Sequence, residues 1–186
     1  MKYSALHEHL DGGLRAKTII EIAKSKNISL PSKDEKELEN WFYENISTEK
    51  KQVFKKFEMT ISVMQDSDAI YRIAYEAVED LVLDGVLYGE LRYAPLQHLK
   101  EELSSQKVVD AVSQGVRDGE KDFGGEFYTI LCAMRQHQNS TEVAELAICN
   151  FGNKVIGFDL AGPEYNFPPS LHKEACNLIS ESEVGL

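Results

Sequence analysis

Four short strand-like segments, each followed by a segment of helical period, constrain the fold of this 186-residue sequence more than any other feature. The strand-like segments are residues 3–10, 86–95, 126–134 and 154–162. Between them, apolar residues recur at three- and four-residue spacing, most clearly over residues 67–84. This alternation predicts an α/β fold of βα units with a parallel sheet. The pattern leaves two architectures open, a doubly wound sheet or a (β/α)8 barrel.

Residues 35–65 interrupt the simple alternation between the first two strands. Their spacing predicts two additional helices, one near residues 38–43 and one that carries Val53, Phe54, Phe57, Ile61 and Met64. A strand–helix–strand crossover does not need these helices. We therefore predict a helical insertion at about residues 35–65.

The charge balance bears on possible partners. The sequence has 20 Lys and Arg against 31 Asp and Glu, a formal net charge of -11. Such a chain repels a phosphate backbone and an anionic lipid surface, so we expect neither nucleic acid nor membrane as a partner.

The cysteines and the N-terminus indicate the compartment. Cys132, Cys149 and Cys176 are widely spaced and form no Cys-x-x-Cys pair, so we expect them to be small buried hydrophobes in a reducing compartment. No apolar h-region precedes the first histidine, and no apolar run has the length of a membrane span. We therefore expect a cytoplasmic protein.

Polar side chains gather where the predicted strands end. Both candidate architectures place their active sites at the C-terminal ends of the strands, so this clustering favours an enzyme. The role of His137 stays open, and Arg92 and Arg135 either contact a substrate or form ion pairs at the rim. The polar groups, strand by strand, are His7, His9 and Asp11; Glu90, Arg92 and Tyr93; Arg135 and His137; and Asp159, Gly162 and Glu164.

The first strand carries the most specific of these groups. Side chains on a strand alternate between faces, so His7 and His9 project the same way, roughly 6.5 to 7 Å apart along the strand. Two neutral imidazoles at this spacing can bind one zinc ion or a similar metal. Asp11 has the same parity beyond the strand, where it can accept a hydrogen bond from a substrate. A His-x-His pair alone is more often a surface or structural feature, and we predict His98 and His172 to be ordinary surface residues.

Four segments together carry a family resemblance. "LHEHLDGGLR", "GELRYAP", "LCAMRQH" and "VIGFDLAG" resemble, in this order, the first four strand motifs of the adenosine deaminase family of metal-dependent amidohydrolases. The match runs along almost the whole chain. The resemblance implies a (β/α)8 TIM-type barrel, and Asp11 matches the adenosine-type branch, whose adenine-type relatives usually carry Glu in that register.

The resemblance also implies roles for individual residues. His7 and His9 correspond to two of three histidine ligands of one Zn2+ per complete site, Asp11 to the carboxylate that binds the ribose 5′-hydroxyl, and Gly162 to the glycine whose backbone N–H contacts the purine. The implied reaction is hydrolytic deamination of adenosine and 2′-deoxyadenosine to inosine or 2′-deoxyinosine plus ammonia, in purine salvage. The insertion at residues 35–65 is expected to cover the ribose side, with apolar contacts from Val53, Phe54 and Phe57.

The sequence departs from the family in one respect. The third histidine and the catalytic Glu belong to a His-x-Gly-Glu motif that residues 1–186 do not contain. We expect that Glu beyond Leu186, since residues 184–186 resemble the start of a fifth strand. The prediction is therefore a single domain, residues 1–186, that forms the N-terminal half of a deaminase barrel with about four βα units and is inactive alone.

Two alternatives stay open at this point. The substrate is adenosine or another 6-aminopurine, such as adenine or a modified adenine or adenosine. The second alternative is a non-catalytic, truncated half barrel. A half barrel exposes the edges of its first and fourth strands, so we also expect self-association through those edges.

Overall fold

The computed structural model describes residues 2–44 and 50–186, with the backbone alone at residues 50–52. The four strands are β1 (Tyr3–His9), β2 (Val86–Tyr93), β3 (Glu126–Met134) and β4 (Val155–Ala161). The helices are α1 (Ala16–Lys26), α2 (Glu35–Tyr43), α3 (Lys50–Val63), α4 (Ser67–Leu83), α5 (Ser105–Phe123), α6 (Ser140–Cys149) and α7 (Lys173–Ser180). Two short 3-10 helices, Pro95–Gln97 and Pro169–His172, follow β2 and precede α7.

The strands form one parallel sheet in the order β1-β2-β3-β4. This confirms the predicted alternation. A consecutive order is the order of a barrel, whereas a doubly wound sheet reverses direction at a switch point. Gly185 forms a further parallel bridge with Gly157 of β4, through its N–H to the Ile156 carbonyl at 2.8 Å, as expected for the start of a next strand.

The helices cover one face of the sheet and bury the apolar core against it. Side chains of alternating strand positions, such as Leu91, Phe127 and Phe158, are almost fully buried. α4 and α5 approach closely because α5 has glycine at positions 115 and 119. A Cβ at Gly115 would lie 2.4 Å from the Tyr71 carbonyl oxygen, so any larger residue would push the two helices apart.

The opposite face carries the polar strand residues. In the sheet register His9 lies beside Arg92, Arg92 beside Ile130, and Cys132 beside Asp159. Strand residues that are partners in register lie on the same face of the sheet. The side chains of these two rows therefore lie on the face that the helices leave open.

Two helices, α2 and α3, occupy the segment predicted as an insertion; residues 45–49 of that prediction lie outside the described residues. α3 crosses the C-terminal end of β1, where the Thr60 hydroxyl donates to the Asp11 carbonyl. No helix in the described part of the chain is both long and apolar enough to cross a membrane.

The prediction for His98 and His172 is wrong, because both side chains are buried. Nδ1 of His98 donates to the Met64 carbonyl at 2.9 Å, which ties the segment after β2 to the end of α3. Nε2 of His172 donates to the Arg135 carbonyl at 3.1 Å, and its Nδ1 lies 2.9 Å from the Ser140 hydroxyl. A lone histidine in a sequence does not show which carbonyls the fold will bring to it.

The prediction for the cysteines is correct only in part. Cys132 is buried, Cys176 is partly buried, and Cys149 is exposed at the last residue of α6. The helical position of Cys149 faces solvent, so burial does not extend to the whole set.

Candidate active site

A cleft of about 210 Å³ lies at the C-terminal ends of the strands. Its wall brings together residues from all four strand ends and from α3. The described residues that line it are His9, Asp11, Phe54, Phe57, Glu58, Ile61, Tyr93, Ala94, Gln97, Cys132, Met134, Gln136, Ala161 and Gly162. A larger cavity of about 520 Å³ lies beyond Phe57, between the start of α1 and helices α2 and α3. It is lined by residues outside the strands, so the strand-end chemistry belongs to the smaller cleft.

His7 and His9 lie side by side at the end of β1. Their ring centroids are 5.3 Å apart, and the rings are tilted by 47°. Two imidazoles that bind one tetrahedral zinc ion, with Zn–N distances of about 2.0 to 2.1 Å, have centroids about 5 Å apart. The pair therefore fits two ligands of one metal ion without a large movement.

The environment of His7 favours its neutral form. Although His7 is exposed, loss of part of its hydration lowers its pKa, and the charges of Arg92 and the neighbouring His9 lower it further against the opposing charges of Asp159 and Glu8. A neutral imidazole is the form that binds a metal.

The described residues supply only part of a metal site. No group of three or more His, Cys, Asp and Glu side chains that could hold a metal occurs within residues 2–44 and 50–186, aside from the undescribed side chains at 50–52. A catalytic zinc site takes three protein ligands and one open position. His7 and His9 fit two of these three.

Asp11 Oδ1 is one of two buried polar atoms in the described cleft lining that have no hydrogen-bond partner, the other being the Tyr93 hydroxyl. Asp11 is 5% exposed, and its Oδ1 has no hydrogen-bond partner among the described residues. The nearest cationic candidate, Nδ1 of His9, is 3.6 Å away, which is too long for a hydrogen bond. A buried carboxylate oxygen without a donor costs free energy, and a ligand hydroxyl would supply that donor.

Gly12 allows α3 to approach the turn after β1. A Cβ at this position would lie 3.1 Å from the Phe57 ring, which also contacts His9 edge-on at a centroid distance of 5.5 Å. The glycine is therefore explained by a close approach, since its φ is not in the left-handed region.

Gly162, directly after β4, has a φ of 98°. A Cβ there would lie 2.6 Å from Gln136 Oε1 and 3.3 Å from the Met134 side chain. Both the conformation and the lack of space require glycine, so the main chain of residue 162 lies directly at the cleft surface.

Arg92 and Arg135 both form ion pairs, one of the two roles that the sequence left open. Nη1 of Arg92 lies 2.8 Å from Asp159 Oδ2, and Nη2 of Arg135 lies 3.2 Å from Glu164 Oε1. Neither arginine lines the cleft as described. His137 is exposed and borders a small neighbouring cavity with Cys132 and Met134, so the strand-end position did not bring it into the cleft.

Several lining residues were not identified from the sequence. Phe57 and Glu58 line the cleft only because α3 crosses the end of β1, and no sequence period signals that crossing. Cys132 could have been found, since it alternates with Met134 toward the end of β3 and strand parity places both on the cleft face.

Comparisons with known proteins place the chain in a family. The family model described as "Adenosine deaminase" matches residues 3–184. An adenosine deaminase from Mycobacterium marinum is 42% identical over 186 residues, covering 96% of this chain and 51% of that protein. Adenosine deaminase 1 from Streptomyces coelicolor is 44% identical over 177 residues, covering 91% and 45%. The chain thus spans about half the length of the curated relatives it matches.

Solved structures confirm the fold. An adenine deaminase from Arthrobacter aurescens has a TM-score of 0.78 at 23% identity, covering 94% of this chain and 54% of that one. An N6-methyl-AMP deaminase from Arabidopsis thaliana has a TM-score of 0.73 at 26% identity, covering 95% and 55%. An amidohydrolase from Burkholderia ambifaria, solved with bound zinc, has a TM-score of 0.79 at 21% identity, covering 96% and 49%. The four-stranded sheet therefore corresponds to part of a (β/α)8 barrel.

Proposed function

Because the chain belongs to the adenosine deaminase family, we propose that the complete protein catalyses the zinc-dependent hydrolytic deamination of adenosine and 2′-deoxyadenosine. The products are inosine or 2′-deoxyinosine and ammonia. His7 and His9 bind the zinc ion together with ligands that this chain does not supply. We assign the catalytic Glu to a segment beyond Leu186.

The two histidines prepare the metal position for this chemistry. A bound zinc ion supplies a nucleophile from water at neutral pH. His7 contributes by remaining neutral, as its lowered pKa favours. His9 contributes by its position between His7 and Asp11: it lines the cleft with Asp11, whereas His7 is exposed beside it and outside the cleft lining.

The uncompensated carboxylate of Asp11 is the observation that carries the choice of a nucleoside. Its unpartnered Oδ1 needs a hydrogen-bond donor, and the 5′-hydroxyl of a ribose is one. The charged groups among the described lining residues are the carboxylates of Asp11 and Glu58, with no Lys or Arg. A 5′-phosphate placed about 4 Å from Asp11 would be repelled by about 4 kcal/mol per charge pair at an effective dielectric constant near 20.

Gly162 supports recognition of the purine ring. It lines the cleft and has no side chain between its main chain and the cleft, and its positive φ favours glycine at this position. A flat base can approach such a backbone closely, and we assign to the Gly162 N–H the hydrogen bond to the ring.

The main alternative substrates are those of structural relatives, an adenine deaminase and an N6-methyl-AMP deaminase. Free adenine would leave Asp11 without a donor, and a nucleotide would bring a phosphate toward two carboxylates. Asp11 therefore disfavours both free adenine and a nucleotide as the substrate. We propose that the protein acts in the cytoplasm. Its proposed ligand is a small purine nucleoside.

The test compares Asp11→Asn with wild type in the complete protein, using adenosine, adenine and AMP as substrates followed by ultraviolet absorbance. We expect wild type to prefer adenosine. Asp11→Asn keeps an acceptor oxygen for the 5′-hydroxyl but removes the charge, so kcat/KM for adenosine should fall by roughly 5- to 15-fold, the difference between a charged and a neutral hydrogen bond. It should leave the low rate with adenine nearly unchanged.

Glu58→Gln is the matched control, because it neutralises the other, exposed carboxylate of the cleft. It should change kcat/KM for adenosine by less than about threefold. A wild-type protein that deaminates AMP or adenine better than adenosine would contradict the proposed substrate.

A further inference from the structure

Arg135 is a nearly buried cation at the junction of β3 and β4 that the proposed reaction does not use directly. Its side chain is 11% exposed. Nε donates to the Leu160 carbonyl at 3.0 Å, and Nη2 contacts Glu164 at 3.2 Å. A guanidinium is planar and holds its donors in a fixed fork, so it cannot turn away from one acceptor without losing the other.

The main chain of Arg135 is held in the same place. Its N–H donates to the Ala161 carbonyl at 2.8 Å, and its carbonyl accepts from Nε2 of His172 at 3.1 Å. His172 is buried and is held in turn by the Ser140 hydroxyl at the start of α6. One residue of the β3 end is therefore connected both to β4 and to the segment before α7.

These contacts hold the chain on both sides of Gly162. Arg135 donates to the carbonyls of residues 160 and 161 on one side of the glycine and forms an ion pair with the exposed Glu164 side chain on the other. Pro163 restricts the ψ of the preceding Gly162, but neither residue fixes the Gly162 φ at 98°, because glycine can adopt many φ values. Something outside residue 162 must set the direction of its N–H.

We propose that Arg135 is the positioning residue that sets the Gly162 backbone N–H toward the purine. Arg135 does not line the cleft and touches no substrate; it acts by fixing the backbone on both sides of the glycine. The proposal rests on the proposed function only in assigning the purine as the ligand of that N–H. The contacts of Arg135 on both sides of Gly162 belong to the chain with or without substrate.

The test is Arg135→Lys in the complete zinc-loaded protein, with Arg117→Lys as control. Lysine keeps the charge and loses the planar arrangement of donors. Arg117 is an exposed arginine that donates to Asn153 at 2.8 Å, just before the start of β4 and at the opposite end of that strand from Gly162. Arg135→Lys should raise KM for adenosine roughly tenfold and change kcat by less than about threefold, because the Gly162 contact is made in ground state and transition state alike.

Hydrogen exchange gives a readout that does not depend on activity. Amides of residues 158–164 should exchange roughly tenfold faster in Arg135→Lys, while those of β1 and the zinc content stay unchanged. Arg117→Lys should change neither quantity. A second variant, Arg135→Gln, retains one amide donor for the Leu160 carbonyl and should fall between lysine and wild type in both measurements.

The outcomes separate this proposal from the proposed function. Unchanged exchange over residues 158–164 in both variants would show that Arg135 does not hold the backbone around Gly162, whatever the activity. Faster exchange with an unchanged KM would overturn the positioning role. If the wild-type protein lacked adenosine deaminase activity, the proposed function would be wrong. The exchange measurement would still show whether Arg135 holds the backbone around Gly162. If both variants lost cooperative melting, the role would be structural and the positioning proposal would be overturned.

Discussion

The two ends of the cleft differ in how their polar groups are satisfied. At the β1 end, residues 7–13, two imidazoles stand beside a buried carboxylate whose Oδ1 has no donor within the described residues. At the β3–β4 end, residues 134–140 and 160–164 with His172, Arg135 bonds to the carbonyls of Leu160 and Ala161, and the His172 ring contacts the Arg135 carbonyl and the Ser140 hydroxyl. The unpartnered Oδ1 of Asp11 is open to a ligand donor, whereas the Nε and main chain of Arg135 hold backbone, although its Nη1 also lacks a partner among the described residues.

The largest expected effect concerns residues 1–186 expressed alone. This polypeptide should bind zinc weakly and show no measurable conversion of adenosine in an ultraviolet assay, because the proposed ligands His7 and His9 are only two of the three that a catalytic zinc requires. The complete protein, assayed in parallel, is the positive control. Deamination by residues 1–186 would show that the β1 end is sufficient.

Sedimentation of the same sample tests the predicted self-association. The outer edge of β1 has no strand partner in residues 2–44 and 50–186, whereas β4 is partly covered by Gly185. We expect oligomers that form through the β1 edge. A monodisperse monomer would count against that expectation.

In the complete protein, His9→Ala should reduce zinc content and lower kcat/KM by more than about 100-fold, since even a residue that only supports a metal ligand is worth about 10- to 100-fold. The free energy of unfolding of the metal-free form should change little, because His9 is only partly buried. Metal analysis and steady-state kinetics measure the first two quantities.

His137→Ala is the matched control at the same rim, since His137 is exposed and outside the cleft. It should keep both zinc and activity. Equal zinc loss in the two variants would remove the distinction between the pair at β1 and an ordinary rim histidine.

His172→Phe tests the hydrogen bonds at the β3–β4 end of the cleft. It removes the bonds to the Arg135 carbonyl and the Ser140 hydroxyl and leaves both buried groups without a partner. We expect the free energy of unfolding to fall by about 2–4 kcal/mol in urea denaturation, with zinc content unchanged.

The control for this change is His137→Phe, whose effect should stay within about 0.5 kcal/mol because the site is exposed. A similar loss in the two variants would show that the hydrogen bonds of His172 do not stabilise the β3–β4 end.

The smallest effect concerns His98 and pH. Burial lowers the pKa of His98, with Asp11 and the Met64 bond acting in the opposite direction. The unfolded chain therefore takes up a proton below about pH 6.5 that the folded chain resists, and stability should fall as the pH is lowered, by at most about 1.4 kcal/mol per pH unit. Stability is fully present above that range.

Urea denaturation between about pH 5 and 8 measures this slope. His98→Asn retains a donor for the Met64 carbonyl and removes the titration, so its pH profile should be flatter than that of wild type. Identical profiles would show that His98 is protonated as easily in the folded protein as in the unfolded chain.

Much of the β1 end could be predicted from local pattern. The parity of His7, His9 and Asp11 on a strand is a local property, and the structure brings all three to one corner of the sheet. The strands and most helix bounds also follow from short-range period. The close approach that explains Gly12 depends on Phe57, 45 residues later, and could not be predicted.

Local sequence pattern was enough to predict the alternation of strands and helices, the family, and the set of polar residues at the strand ends. Only the tertiary structure decided which of them are satisfied: that Asp11 Oδ1 is left without a donor, that His98 and His172 are buried, and that Arg135 holds the turn at Gly162. The reason is physical. Strand parity and helical period act over a few residues, whereas burial and hydrogen-bond partners depend on segments that meet only after folding.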